Sequence, residues 1–260
     1  MTASIQLDLA PPIAEIVLNK PEKRNALSVD MWAAIPDMVA SAIDDPDVKV
    51  LIIHGGTAGA FAAGADISEF ETIYATRDSA EASGLTIAAA LNAIEACPKP
   101  TIAAIDGACV GGGVSIAMTC DLRIASEDSK FGVTPAKLGL VYPASDTRRL
   151  LQAIGASATK DILFTGRIFQ ADEAHTMRLI DRQVATGTAL DEARQMAIQI
   201  AAASQWSTRA IKRMINGLQS GWADSEREAL DLFLEGFSNE DFADGYKAFL
   251  EKRPPNFTFR

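Results

Sequence analysis

The stretch Gly107–Met118, GACVGGGVSIAM, decides how the chain is read. Three consecutive glycines, Gly111–Gly113, interrupt an apolar run just after the β-prone segment Thr101–Ile105 (TIAAI). A helix opened by glycines presents free backbone N–H groups and the positive end of its dipole, and with no β-carbons in the way an oxygen atom can approach them. Close helix–strand packing is the other reason for glycine at such a place, and the triplet alone leaves both readings open. Two familiar glycine motifs fail at an essential residue. A P-loop needs Lys-Ser/Thr after its last glycine, whereas Gly112 is followed by Gly113-Val114. A nucleophile elbow needs G-x-S-x-G, and the run from Gly113 through Ser115 ends in Ala117.

Working outward, strand, loop and helix alternate. Ile5–Leu9 and Ile13–Leu18 are short β-prone runs around Pro11-Pro12, a predicted hairpin. Ser28 is placed to cap a helix with the stripe Met31, Ile35, Met38, Val39 and Ile43. Val48–Ile53 (VKVLII) reads as a buried strand, followed by the small-residue loop Gly55–Asp66. A helix is predicted over Leu85–Cys97, stopped by Pro98 and Pro100, and a strand over Leu122–Ala125. This order predicts an α/β fold. After about Asp146 the pattern is helical, with one stripe at Leu190, Ala193, Ala197 and Ile200 and another at Leu230, Phe233, Leu234 and Phe237. Ser225 with Glu228 reads as a capping box for the latter helix. The expected division is a core over 1–190 and a helical oligomerisation region over 191–260.

Composition narrows the function. At 260 residues, 48% hydrophobic and 22% charged, the chain can bury one substantial core. A net charge of −10 argues against a surface that coats nucleic acid, though one local basic cluster suffices for a small anion. Cys97, Cys109 and Cys120 form no CxxC pair, which argues against a disulfide framework or zinc site and suits a reducing compartment. The first residues lack a signal-peptide layout, and the longest apolar region, Thr101–Met118, is broken by Asp106. The expectation is a soluble, cytoplasmic protein with no metal and no membrane or nucleic-acid partner.

A second stretch, Ala60–Phe70 (AFAAGADISEF), also follows a strand and is rich in small residues. It can bring another backbone N–H towards the one at the glycine triplet. Two donors converging on one oxygen form an oxyanion hole.

Together with Leu18–Ser28 (LNKPEKRNALS), Ile105–Ala125 and Ala248–Phe257 (AFLEKRPPNF), that stretch resembles the crotonase (enoyl-CoA hydratase/isomerase) superfamily over essentially the whole length. The resemblance implies a spiral of ββα units with a C-terminal helical trimerisation region, and a homotrimer or homohexamer. It also implies an acyl-CoA thioester as substrate, with coenzyme A as part of that substrate and no further cofactor. The thioester oxygen would be held by the N–H groups of Ala65 and Gly112. Lys23 and Arg24 would lie near the nucleotide, and Ala63, Asp66 and Ile67 near the adenine. Phe249 and Lys252 would come from an adjacent subunit.

The chain departs from the family's hydratases at both of their glutamates. Ser115 stands at the first position and Pro135 at the second, within FGVTPAKLG. Neither residue can deprotonate water, so ordinary hydration is not expected. The segment Thr134–Tyr142 resembles that of methylmalonyl-CoA decarboxylases and implies that Tyr142 orients a carboxylate or donates a proton. A catalytically silent acyl-CoA-binding protein is the alternative of a different class. For a displaced carboxylate the nearest candidates are Asp146 and Glu69, although Asp146 also suits a helix N-cap before Thr147. His54, at a strand end, reads as a satisfied core or loop histidine. His175 pairs with Asp172 at i, i+3, but nothing in the sequence brings either to Ser115.

Overall fold

A computed structural model describes residues 4–223 and 225–259. The hairpin β1 (Ile5–Ala10) and β2 (Ile13–Leu18) is antiparallel, with Ile5 opposite Leu18. It leads to α1 (Val29–Asp44), β3 (Val50–His54) and β4 (Ala60–Ala62). The short α2 (Phe70–Ile73) and long α3 (Arg77–Ala96) follow, then β5 (Thr101–Ile105), β6 (Ala108–Val110) and α4 (Gly112–Thr119). The third turn is β7 (Leu122–Ser126), β8 (Lys130–Gly132) and α5 (Ala144–Thr165). The chain ends with β9 (Ile168–Gln170), α6 (Ala171–Thr176), β10 (Arg182–Val184), α7 (Ala189–Ala201), α8 (Gln205–Gln219), α9 (Arg227–Glu235) and α10 (Glu240–Glu251).

These strands form two sheets. One has the order β1-β2-β3-β5-β7-β10, and the other β4-β6-β8-β9. The pairs β3/β4, β5/β6 and β7/β8 each place one strand in each sheet before a helix returns, so the chain winds as a spiral of ββα turns. Within each sheet the consecutive turns pair in parallel, β3 with β5 and β5 with β7 in one, β4 with β6 and β6 with β8 in the other.

Every residue of β3 and β5 is buried, as near-continuous branched aliphatic runs require when both faces of a sheet are covered. Leu51, Ile53, Ala103 and Ile105 face the main core, which includes α1, α3 and α4. Val50, Ile52, Ile102 and Ala104 face a smaller core closed by Ala189, Ala193, Met196 and Ala197 of α7. The stripe at Ala193 and Ala197 therefore packs on the sheet. The expected division after residue 190 falls inside α7, whose buried face completes that core.

Local differences from expectation have local causes. The α3 helix begins at Arg77 rather than Leu85, because Thr76 and Ser79 form a reciprocal capping box there. The box expected at Ser225 and Glu228 does not form: α9 starts at Arg227, with Glu226 at its cap, and Glu228 instead pairs with Arg213. Past α8 the chain leaves the two cores, and Phe233, Phe237, Phe249 and Leu250 stand exposed. Among the described residues no helix is long and apolar enough to cross a membrane.

Candidate active site

Each glycine of the triplet has its own cause. Gly111 takes a left-handed φ of 53° at the head of α4, where a side chain is strained. A β-carbon on Gly112 would lie 2.9 Å from the Trp32 ring and 3.0 Å from Leu27. One on Gly113 would lie 2.8 Å from the carbonyl oxygen of Ala62. Side chains are thus excluded at 112 and 113 by the protein's own packing. The reading of these glycines as room for an approaching ligand is corrected to this extent: the missing β-carbons let α4 sit against α1 and β4.

That packing brings the two loops together. A β-carbon on Gly111 would touch Cα of Gly64 at 3.8 Å, and Gly64, with φ 108°, lies against the Val110 carbonyl. Leu27 N donates to Gly64 O at 2.8 Å and Asp66 N to Leu27 O at 2.9 Å, so the segment around Ala65 is pinned to the start of α1. Gly111 N donates to Gly132 O at 2.8 Å. Among the described residues, the N–H groups of Ala65 and Gly112 have no such acceptor. Gly112 is half-buried and Ala65 exposed, so both groups lie within reach of a ligand.

Below the triplet, a buried polar chain crosses from α4 to α5 and α3. Ser115 Oγ lies 2.7 Å from Tyr142 Oη and donates to Asp146 Oδ2 at 2.9 Å. Its single hydrogen is committed to Asp146, so Tyr142 is the donor in the shorter contact. Arg149 Nη1 donates to Asp146 Oδ1 at 2.8 Å, and Arg149 Nη2 to Glu95 Oε2 at 2.6 Å. Ser115, Asp146 and Arg149 are at most 4% exposed. Burial holds the Asp146 carboxyl above the usual range, against the opposing pull of Ser115 and Arg149. Burial, then the charge of Asp146, likewise raises Tyr142, which stays a neutral donor at ordinary pH.

Asp146 is therefore no N-cap. Pro143 occupies that position, and Asp146 sits in the first turn of α5 with its side chain turned inward. Glu69, the other candidate for a displaced carboxylate, accepts from Val29 N on Oε2 at 2.9 Å at the start of α1. Ser28, expected to cap that helix, makes no capping bond.

A second cluster flanks Ala65. Lys20 Nζ and Lys23 Nζ lie 2.8 and 2.7 Å from Asp66 Oδ2, and Lys23 also reaches Ser68. Burial opposes ionisation of Asp66, but the bonds from Lys20, Lys23 and Ser68 outweigh it and hold the carboxyl far below the usual range. Ala63 N donates to Arg24 O at 3.0 Å. Lys23, Arg24, Ala63, Asp66 and exposed Ile67 thus share one neighbourhood. Its organiser, Asn25, was not anticipated. Fully buried at a left-handed φ of 57°, it donates to the carbonyls of Gly55, Ala60 and Phe61 and accepts from Lys20 N. The available signal was asparagine's tolerance of that conformation within KRNALS.

Other expected residues stand apart. Pro135 opens the short helical turn Pro135–Leu138 and is half-buried. Phe249 is 84% exposed near the end of α10, and Lys252 is its left-handed C-cap. No hydrogen bond or ion pair among the described residues joins either to the glycine loops. His54 is buried, accepts from Gly56 N at 3.1 Å and lies 3.2 Å from Glu15. Asp172 and His175 are exposed on α6, whereas Ser115 is buried on Tyr142 and Asp146, so those three form no triad.

Comparison with known proteins agrees with this architecture. Residues 10–260 match the family model described as enoyl-CoA hydratase/isomerase. A crotonyl-CoA hydratase of Syntrophomonas wolfei is 35% identical over 255 residues, covering 98% of this chain and 97% of that protein. The crystal structure of an enoyl-CoA hydratase/isomerase family protein from Hyphomonas neptunium is 70% identical with a TM-score of 0.99, covering 100% of this chain and 99% of that one. An enoyl-CoA hydratase from Bacillus anthracis is 28% identical with a TM-score of 0.90, over 99% and 100% of the two chains. The spiral of ββα turns is thus the crotonase fold, and the chain belongs to the enoyl-CoA hydratase/isomerase family.

Proposed function

We propose that the chain is an acyl-CoA enzyme that forms a thioester enolate on the N–H groups of Ala65 and Gly112 and protonates it through Tyr142. The observation that carries this reading is the contact of Tyr142 Oη with Ser115, itself bonded to buried Asp146, at the head of the glycine helix. Tyr142 is a donor, and a thioester with a carboxylate on its α-carbon needs a donor and an oxyanion hole but no base. The bond to the carboxylate breaks, CO2 leaves, and the electron pair passes into the thioester carbonyl. Tyr142 then gives its proton to the α-carbon and regains one from solvent, relayed through Asp146 and Ser115.

Water addition uses two carboxylates around one water, and Ser115 and Pro135 stand in their places. Each such loss costs ~10²–10⁴-fold. A second reading, proton-shifting isomerisation of a 3-enoyl thioester, is favoured by a carboxylate standing one hydroxyl away, with Asp146 taking the proton through Ser115. In either case the nucleotide of the thioester lies along Lys23, Arg24, Ala63, Asp66 and Ile67. Phe249 and Lys252 complete that site from a second copy in a homotrimer or homohexamer.

A substrate panel tests the proposal: methylmalonyl-CoA, malonyl-CoA, a 3-enoyl-CoA and crotonyl-CoA, with products followed by mass. Loss of CO2 is expected, slowed about a hundredfold or more by Tyr142→Phe. Rapid hydration of crotonyl-CoA refutes the reading. Tight thioester binding without turnover assigns a silent binding protein instead.

A further inference from the structure

Glu95, near the end of α3, belongs to none of the loops that build the candidate site, yet only Arg149 and Asp146 separate it from Ser115. Arg149 divides its guanidinium between two carboxylates. Nε and Nη2 meet Glu95 side-on, 3.3 Å from Oε1 and 2.6 Å from Oε2, while Nη1 lies 2.8 Å from Asp146 Oδ1. A two-point pair of this kind fixes the plane of the guanidinium as well as its place. Asn92 Oδ1, 3.5 Å from Nη2, is too distant to do the same. With Nη1 so fixed, Asp146 is held by Oδ1, and its Oδ2 is left for Ser115 at 2.9 Å. The anchor that sets the direction of the guanidinium thus comes from another helix than the one that carries Arg149 and Asp146.

The charges follow the same path. Asp146 faces Arg149 of its own helix, Ser115 of α4, Tyr142 just before α5 and, beyond Arg149, Glu95 of α3. Burial opposes ionisation of Glu95, but Arg149 and then Arg148 outweigh it and hold the carboxyl below the usual range. One buried cation therefore serves two carboxylates, and the charge of Glu95 opposes ionisation of Asp146. Glu95 and Arg149 also line a cleft of about 450 Å3 between α5 and α8, which neither Ser115 nor Tyr142 lines. A change at Glu95 therefore reaches Tyr142 by way of Arg149.

We propose that Glu95 is a positioning residue of the candidate site: it holds the Arg149 guanidinium side-on and so aims Asp146 Oδ2 at Ser115, behind Tyr142. Its effect on turnover rests on Tyr142 acting as proposed above, whereas its hold on Asp146 does not.

The test follows Asp146 directly, by carbon NMR of the side-chain carboxyls in the full chain, with Asp146→Asn assigning the signal. Glu95→Gln keeps an acceptor for Arg149 and removes the charge, so Asp146 is expected to titrate at lower pH than in the parent. The pH limb of turnover that belongs to Asp146 moves down with it. Glu95→Ala removes the acceptor as well, and thioester turnover is expected to fall about tenfold in kcat with KM within about twofold. In an Arg149→Lys background, which has no fork, Glu95→Ala lowers kcat no further, because a residue acting through another adds nothing once that one is gone. The proposal is overturned if Asp146 titrates at the parent's pH in both Glu95 variants, or if a lowered Tm is their only change, which makes Glu95 a tie between α3 and α5. Turnover of Glu95→Ala at the parent's kcat overturns it too. A parent chain that turns over no thioester overturns the reading of the reaction instead, and the Asp146 titration then decides the role of Glu95 by itself.

Discussion

Gly113→Ala tests whether packing, rather than ligand approach, excludes side chains from the triplet. The new β-carbon falls 2.8 Å from the Ala62 carbonyl oxygen and 3.0 Å from the Ala62 β-carbon. Carbon contacts are best at ~3.5–4.0 Å. The obstacle is strand backbone held in β4, which cannot rotate away, so α4 must move. Overpacking of this kind costs about 1–3 kcal/mol. The helical preference of alanine over glycine returns up to about 1 kcal/mol. A net loss of about 1–2 kcal/mol follows, a fall in Tm of roughly 2–8 °C for a chain of this size. Gly84→Ala is the matched control, because Gly84 is exposed within α3 and its β-carbon would meet nothing within 4 Å. That variant gains up to about 1 kcal/mol. Urea or thermal melts of both variants give the comparison, with thioester turnover as a second readout. Displacing α4 moves the Gly112 N–H, and a loss of roughly tenfold to a hundredfold is expected for Gly113→Ala alone. If Gly113→Ala is as stable and as active as Gly84→Ala, the packing explanation is wrong.

Three further outcomes are expected. Asn25→Ala leaves three carbonyls short of a donor and puts alanine in a left-handed conformation, costing on the order of 3–5 kcal/mol in denaturant unfolding; Asn25→Gly relieves only the backbone part. Asp146 has a raised folded pKa, so the stability it gives is fully present below its unfolded value and lost as pH rises through the folded one. Asp146→Asn should therefore improve relative to the parent as pH rises above about 4, and a flat or opposite trend between melts at pH 4 and pH 7 would contradict the burial argument. Glu15 is lowered from 4.5 to about 2, chiefly by His54, whose Nε2 stands 3.2 Å from Oε2, and with help from Arg194, burial opposing. Its stabilisation is present above 4.5 and disappears as pH falls through about 2, roughly 3 kcal/mol in all, so Glu15→Gln should lack that part of the acid unfolding curve.

The fold was largely legible where burial dictates sequence directly. Ile13–Leu18 and Thr101–Ile105 emerge as strands with the expected ends, because interior strands need branched or small apolar residues at every position. The three-residue strands β4, β6, β8 and β9 carry too little periodicity to be seen. That Lys23 and Arg24 lie beside Ala63 and Asp66 was expected from the family resemblance. The link from Ser115 to Asp146 spans 31 positions and two helices, and a carboxylate three residues after Pro143 looks like any helix start. Only the inward face of α5 separates the two roles.

The winding of the two sheets has a consequence for how such a site can change. The Gly64 loop, the Gly111 loop and the Pro135–Tyr142 segment come from three successive turns of the spiral, each anchored by its own strands. A residue exchanged on one turn leaves the other two walls where they were. The N–H groups of Ala65 and Gly112 belong to the first two turns, while Tyr142 and Asp146 belong to the third. A side chain on the third turn can thus be exchanged without rebuilding the backbone of the Gly64 and Gly111 loops.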